Sequence, residues 1–340
     1  MKNRLFTFKK FPLSVCTQDG PLPEKEELVE AYIEEGANGL ISFLPYVDPS
    51  KIYLSQHNSS IGETWRLHNL EFAKHILGVG ELSFVDIGGG SGNIYKSAYS
   101  LDSNISWKII DLNPTLDDAR VETVVGLYSP SDIKEGDTVI TSHFLEHQNN
   151  PEEFLTELRL RNPKYHLFSL PNFKSYAKKN YSATIMFEHP NYLAEDYLEY
   201  LLAKTGWNII DKQYYADHSI FFTTTPGTPT DSKKVFNCRE DIGNFLQYMQ
   251  DRCQQLVQAQ KPFYVFGAHF TYYYVLNMGV PEEQIIAVVD NDPAKQGKRM
   301  YGTNTRVISS DELPIGANVF LEMGPYNAEI AKELLNVNFL

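Results

Sequence analysis

The stretch FVDIGGGSGNIYKSA, residues 84–98, sets a carboxylate, Asp86, two residues ahead of a turn in which Gly88, Gly90 and Gly92 alternate. Glycines at that spacing let a ligand approach the backbone closely where a strand gives way to a helix. The segment HFLEHQNNPEEF adds His143, Glu146 and His147, and TIMFEHPNYLAEDYL adds the adjacent Glu188 and His189. Imidazoles and carboxylates are the side chains that move protons near neutral pH, and one positioned base contributes ~10²–10⁴-fold in rate. The pattern predicts a nucleotide-like group held in the glycine turn, with proton-transfer groups beside it.

The identity of that group follows from charge and spacing. A dinucleotide fingerprint needs a third glycine at position 93, which is Asn93, and no lysine is placed for a phosphate-binding loop. Asp86 would repel a pyrophosphate, whereas S-adenosylmethionine has no phosphate and carries an ammonium and a sulfonium that a carboxylate attracts. Asp111 ends the next apolar run and, with Leu112 after it, is placed to accept ribose hydroxyls from either cofactor. By position, Gly126 to Tyr128 border an adenine, and Ser142 and His143 face the methionine end. S-adenosylmethionine is the expected cofactor.

The elements that must hold these residues read as alternating strands and helices. LSFVDI, WKIIDL, VETVVGL, DTVITSHF and YHLFSL are strand runs, and helices follow the glycine turn, Asn150 and Ala194. Pro151 and two glutamates open the second of these helices, and Gly206 closes the third. WNIIDKQYY and HSIFFTTT, a few residues apart, read as the antiparallel pair with which class I methyltransferase sheets end, and which nicotinamide dehydrogenases generally lack. TTTPGTPTDSKK, residues 223–234, reads as a linker. A long amphipathic helix with Cys253 on its apolar stripe then leads into FYVFGAHFTYYYVLNMG, IIAVVDND and NVFLEMG. The expected architecture is α/β: a Rossmann-like class I methyltransferase sheet over 79–225, a linker over 226–235, and a smaller Rossmann-like α/β domain over 236–340. Residues 1–78 read as helices and loops.

Side by side on extended chain, Glu188 and His189 point opposite ways, so one faces the substrate while the other braces a neighbour. His57, His68, His75, His166, His218 and His269 have no comparable placement. His68 and His75 lie seven apart, outside the i, i+4 spacing of a metal pair, and no metal is expected. Tyr272, Tyr273 and Tyr274 cannot share one helix face; packing is their main expected role, with one reaching the cleft between domains. Cys16, Cys238 and Cys253 are scattered without the spacing of a disulfide framework or a cysteine zinc site. Hydrophobic residues make up 42% of the 340 and charged residues 21%, with no apolar run long enough for a membrane span and no secretory leader pattern. A net charge of −13 disfavours nucleic-acid binding. A cytoplasmic enzyme with a small-molecule substrate is expected.

Taken in order, VDIGGGSGN, IIDLNP, FLEHQNNPEEFL, FEHPNYLAEDYLEYLLAKTGW, YVFGAHFTYYYVLNMG and VVDNDPAKQGKRMYGTNTRVISSDEL resemble the C-methyltransferases that act on nucleotide-linked deoxy-keto-sugars, over roughly residues 50–340. The resemblance implies that the residues matching His147, Glu188 and His189 line the active site. It implies that a histidine takes the proton next to a ketone, that the enolate carbon receives the methyl group, and that the C-terminal domain helps hold the nucleotide-sugar. That family usually begins with a four-cysteine zinc module, where this chain has only Cys16. Oxygen as the attacked atom, a nicotinamide oxidoreductase and a non-catalytic binding protein stay open as alternatives.

Overall fold

The computed structural model describes residues 3–12, 17–23, 26–48, 52, 62–230 and 234–340; Cys16 and His57 lie outside them. The N-terminal region departs from the helical expectation. It contains strands β1 (Asn3–Pro12), β2 (Thr17–Gln18), β3 (Leu28–Glu35) and β4 (Ile41–Leu44), and β1, β3 and β4 form an antiparallel sheet. Among the described residues, the helical reading holds for Glu63–Leu77. A register shift between Phe8 and Phe11 explains the difference: a bulge brings two residues three apart onto one buried face, mimicking helical spacing. Their rings pack on Phe43 and on Phe270, Tyr273 and Tyr274 of the C-terminal region, so this sheet is glued to the rest by aromatic contact.

The next unit is built from β5 (Ser83–Ile87), β6 (Ser106–Asp111), β7 (Val121–Val125), β8 (Thr138–Ser142), β9 (Tyr165–Pro171), β10 (Trp207–Tyr215) and β11 (Ser219–Pro226). Their order across the sheet is β10-β11-β9-β8-β5-β6-β7, all parallel except β11, which is antiparallel to both neighbours. The parallel sheet and its closing antiparallel hairpin are as expected. The chain reverses direction across the sheet between β5 and β8, where a crevice opens at the strands' carboxyl ends. Asn150 caps the helix Pro151–Leu160 by accepting from the Glu153 amide at 3.3 Å, and Gly206 (φ +84°) ends Glu195–Thr205.

Residues 223–226 of the expected linker belong to β11, and the segment beyond is pinned: Gly227 donates to Gly206 O at 2.7 Å, and Arg159 donates to Gly227 O at 2.7 Å. The helix Cys238–Ala259 follows, with Cys253 buried on its core face. The second unit holds β12 (Phe263–Phe266), β13 (Ile285–Val289), β14 (Arg299–Met300), β15 (Val307–Ile308), β16 (Ala317–Phe320) and β17 (Val337–Phe339). Its five-stranded sheet runs β15-β13-β12-β16-β17, all parallel, while β14 pairs with β2. It is a smaller Rossmann-like α/β unit. Tyr272, Tyr273 and Tyr274 are all buried: Tyr272 hydrogen-bonds with the Thr303 and Thr305 hydroxyls, Tyr273 donates to Tyr301 O and Tyr274 to Ile185 O, and none lines the cavity between the units. No described helix is long and apolar enough to cross a membrane.

Candidate active site

A cavity of about 780 Å³ lies between the carboxyl ends of the first sheet and those of β12 and β13. Small-molecule sites span roughly 300–1,000 Å³, so this one lies within that range. Asp86, Gly88, Gly90, Asp111, Leu112, Ser142, His143, His147, Glu188 and His189 all line it, as do Gly126 to Tyr128. Gly92 does not. It takes φ +69° as the residue before helix Asn93–Leu101, and a Cβ there would come within 2.6 Å of Leu116, so its role is a turn and close packing.

Asp86 is fully buried at the end of β5, and its Oδ2 accepts from Trp107 Nε1 at 3.2 Å. Its Oδ1 is buried with no protein partner. Burial raises its pKa to about 7, partly offset by the Trp107 hydrogen bond. Gly88 (φ +77°) has no space for a side chain, since a Cβ would meet the Phe144 ring at 2.5 Å. Asp111 is fixed by backbone amides: Oδ2 accepts from Gly90 N at 3.0 Å and Oδ1 from Asn113 N at 2.7 Å.

The second unit repeats this construction. Gly88 N donates to Ile110 O, just before Asp111, at 2.8 Å; Gly267 N donates to Val289 O, just before Asp290, at 2.7 Å. Asp290 Oδ2 accepts from Ala268 N at 2.8 Å and Oδ1 from Asp292 N at 2.9 Å, the same two-amide grip. Asp290 faces the same cavity, and Lys295, whose Nζ lies 3.3 Å from Asp290 Oδ2, is the one lysine or arginine lining it among the described residues. The units are also clamped directly. Glu329 accepts from the amides of Glu63 and Thr64 at 2.8 and 3.2 Å, serving from the second unit as the cap of the first unit's opening helix.

The proton-transfer candidates gather at one side of the cavity. Glu146, His147 and His189 each offer a ligand atom within 4.8 Å of the others, and the His147 and His189 rings meet edge to face at 4.9 Å. His189 Nδ1 donates to Ala183 O at 2.5 Å, which leaves Nε2 with its lone pair. Burial, then the neighbouring His147, lowers the His189 pKa to about 4, so the ring is neutral at physiological pH. Glu146 is fully buried; burial pushes its pKa up, but His143, whose Nδ1 lies 3.1 Å away, and the nearby His147 and His189 hold it below the usual range. Glu188 interacts electrostatically with Tyr181 and His269, on the side of the second unit. Residues 185–189 form a run of bends rather than extended chain, so strand alternation does not set the directions of this pair, and Glu188 also acts electrostatically on His189.

Sequence reading missed three residues of this region. His68, on the opening helix, and His218, in the β10–β11 hairpin, converge on His143, and His269 lines the cavity. No local pattern signals them, because each comes from a different element. Both ring nitrogens of His143 are engaged, with Nδ1 3.1 Å from Glu146 and Nε2 2.9 Å from Ser219 Oγ. Ser142 Oγ lies 2.9 Å from Ser169 Oγ.

No family model and no curated protein matches the sequence. Among solved structures, the mitomycin 7-O-methyltransferase MmcR is similar at 14% identity and TM-score 0.37, over 47% of this chain and 54% of that one. The dimethyltransferase RosA of Streptomyces davawensis is similar at 17% identity and TM-score 0.38, over 47% and 55%. The glycopeptide N-methyltransferase MtfA, solved with S-adenosylmethionine, is similar at 13% identity and TM-score 0.36, over 46% and 93%. The match thus spans about half the length of the first two. Likeness at this level assigns neither cofactor nor substrate to this chain.

Proposed function

We propose that the protein transfers a methyl group from S-adenosylmethionine to a small polar acceptor, a nucleotide-linked keto-sugar, with a histidine removing the acceptor's proton. The observation that carries this reading is the doubled device: two glycine turns, each with a strand-end aspartate gripped by two backbone amides, facing one cavity. One turn serves the cofactor, and the other fits the nucleoside of the acceptor, leaving the sugar between them.

The first turn fits S-adenosylmethionine. The unpartnered, buried Oδ1 of Asp86 suits its ammonium, and Asp111 retains lone pairs for the ribose hydroxyls. When bound, the cofactor supplies an electrophilic methyl carbon on a sulfonium. The chain's own task is to position the acceptor and take its proton. His189, with its pKa lowered to about 4 chiefly by burial, is a weak base, and the proton is assigned to His147, where the Glu146 carboxylate stabilises the imidazolium that forms. Glu188, which lines the cavity, orients the acceptor. His147 would take the proton next to the ketone, leaving a carbon nucleophile for the methyl group that the bound cofactor would supply. An acceptor offering a hydroxyl would be methylated on oxygen by the same groups.

Calorimetry with S-adenosylhomocysteine and NADH, followed by turnover of a panel of nucleotide keto-sugars read by mass, tests the proposal. Binding of the sulfur compound alone, and an acceptor gaining one methyl group, are expected. NADH binding without S-adenosylhomocysteine binding would overturn it.

A further inference from the structure

His68, His143 and His218 come from three separate elements, and one ring nitrogen of each lies within 4.8 Å of the other two. The rings stand 5.0, 5.2 and 5.4 Å apart by centroid, and Trp65 packs edge-on against all three. Each ring turns one nitrogen outward to an oxygen. His143 Nδ1 lies 3.1 Å from the Glu146 carboxylate, His68 Nδ1 3.3 Å from Asn69 Oδ1, and His218 Nε2 2.8 Å from Tyr326 Oη. Metal-binding histidines are typically braced in this way, with the outer N–H given to an oxygen and the inner lone pair left for the ion.

The inner nitrogens are short of protons. His143 Nε2 and His218 Nδ1 both approach the single hydroxyl of Ser219, at 2.9 and 2.6 Å, and His68 Nε2 is buried with no partner. With protons on the outer nitrogens, three buried lone pairs converge on one hydroxyl proton, and an uncompensated buried polar group costs about 1–3 kcal/mol. His143 also holds φ +47°, a conformation unfavourable for a residue with a Cβ, of the kind that persists where a site fixes a side chain.

We infer that His68, His143 and His218 form a binding site for a divalent transition-metal ion of the zinc type, with Ser219 Oγ as the adjacent oxygen donor. Three neutral imidazoles with one oxygen match the ligand preference and four-coordination of zinc. Such an ion rivets the opening helix, the loop after β8 and the β10–β11 hairpin, and through Tyr326 it reaches the second unit. It does not depend on the cofactor or acceptor assigned above.

The full chain is dialysed against micromolar zinc chloride, and bound metal is counted by plasma mass spectrometry. About one zinc per chain is expected, falling at least tenfold in His68→Gln and in His218→Gln and unchanged in His147→Ala and His189→Ala. X-ray absorption of the zinc-loaded wild type, which needs no variant to fold, is expected to show a first shell with three imidazole nitrogens at about 2.0–2.1 Å. Wild type holding no more zinc than His68→Gln while both remain folded, loss of zinc on His189→Ala instead, or a shell without three imidazoles would overturn the inference.

Discussion

Asp86→Asn separates a binding role from a packing role because the two predict opposite signs. In the protein without ligand the buried carboxyl has a pKa raised to about 7 from 3.8, chiefly by burial. A raised carboxyl pKa means that the folded state holds the proton more tightly than the unfolded state. Stability is therefore lost as pH rises from 3.8 to about 7 and is flat above. About three units at 1.36 kcal/mol each make the cost at pH 8 about 4 kcal/mol. Asparagine keeps the size and still accepts from Trp107, but its amide N–H lacks a partner in the protein and returns about 1–3 kcal/mol of that gain. The variant should thus be more stable than wild type by about 1–3 kcal/mol in urea melts at pH 8, and should lose this advantage at pH 4. Binding should move the other way. Removing a charged hydrogen bond to the ligand ammonium weakens S-adenosylhomocysteine by about 1.5–3 kcal/mol, or roughly 10- to 150-fold by calorimetry. Wild-type affinity should also fall roughly tenfold per pH unit below 7, as the carboxyl must release its proton to pair with the ligand. Unchanged affinity in the variant, with stability lowered at pH 8, would refute the assignment of Asp86.

Other consequences follow from the same site. His147→Ala should reduce kcat by ~10²–10⁴-fold with the fold intact by circular dichroism, and His189→Gln by less. Held neutral until about pH 4 against 6.5 when unfolded, His189 destabilises the fold as pH falls through that window, by up to about 3 kcal/mol, so His189→Gln should flatten this limb in urea melts. Lys295→Met should raise KM for a nucleotide-linked acceptor by roughly 10- to 100-fold with little change in kcat, leaving the same sugar without its phosphates unaffected. Glu329→Ala, which uncaps the helix Glu63–Leu77, should cost about 0.5–2 kcal/mol of stability, read by thermal melting.

What the sequence disclosed and what it hid divide along a physical line. The glycine turn, the strands that carry Asp86 and Asp111 or run up to Asp290, and the capped helix at Pro151 are local patterns readable in the sequence. The closing hairpin was readable because its two strands are separated by a short turn. The N-terminal sheet was hidden because a bulge gave β1 the spacing of a helix, and its partners β3 and β4 are short. Gly92 looked like part of the ligand loop because glycine for packing and glycine for close approach carry the same letter. The histidine cluster was illegible for another reason. His68, His143 and His218 share no sequence window, and only the tertiary fold brings them together.

On the function proposed above, the doubled turn also explains how one fold would hold two chemically different ligands facing each other. Asp86 pairs in register with Ile109, two residues before Asp111, and Val265 pairs with Val288, two residues before Asp290. Asp86 and Val265 are therefore equivalent positions beneath their turns. The first turn rests on a buried acid, which disfavours phosphate and favours an ammonium. The second rests on a buried valine, which disfavours neither, and places Lys295 beside its strand-end aspartate. Both aspartates stay gripped by backbone amides, the part of the device suited to a ribose in either unit. On the function proposed above, selectivity falls on the charge beneath and beside each turn: a cationic donor at the first and, at the second, an acceptor whose phosphates reach Lys295, with His147 and His189 along the wall of the cavity.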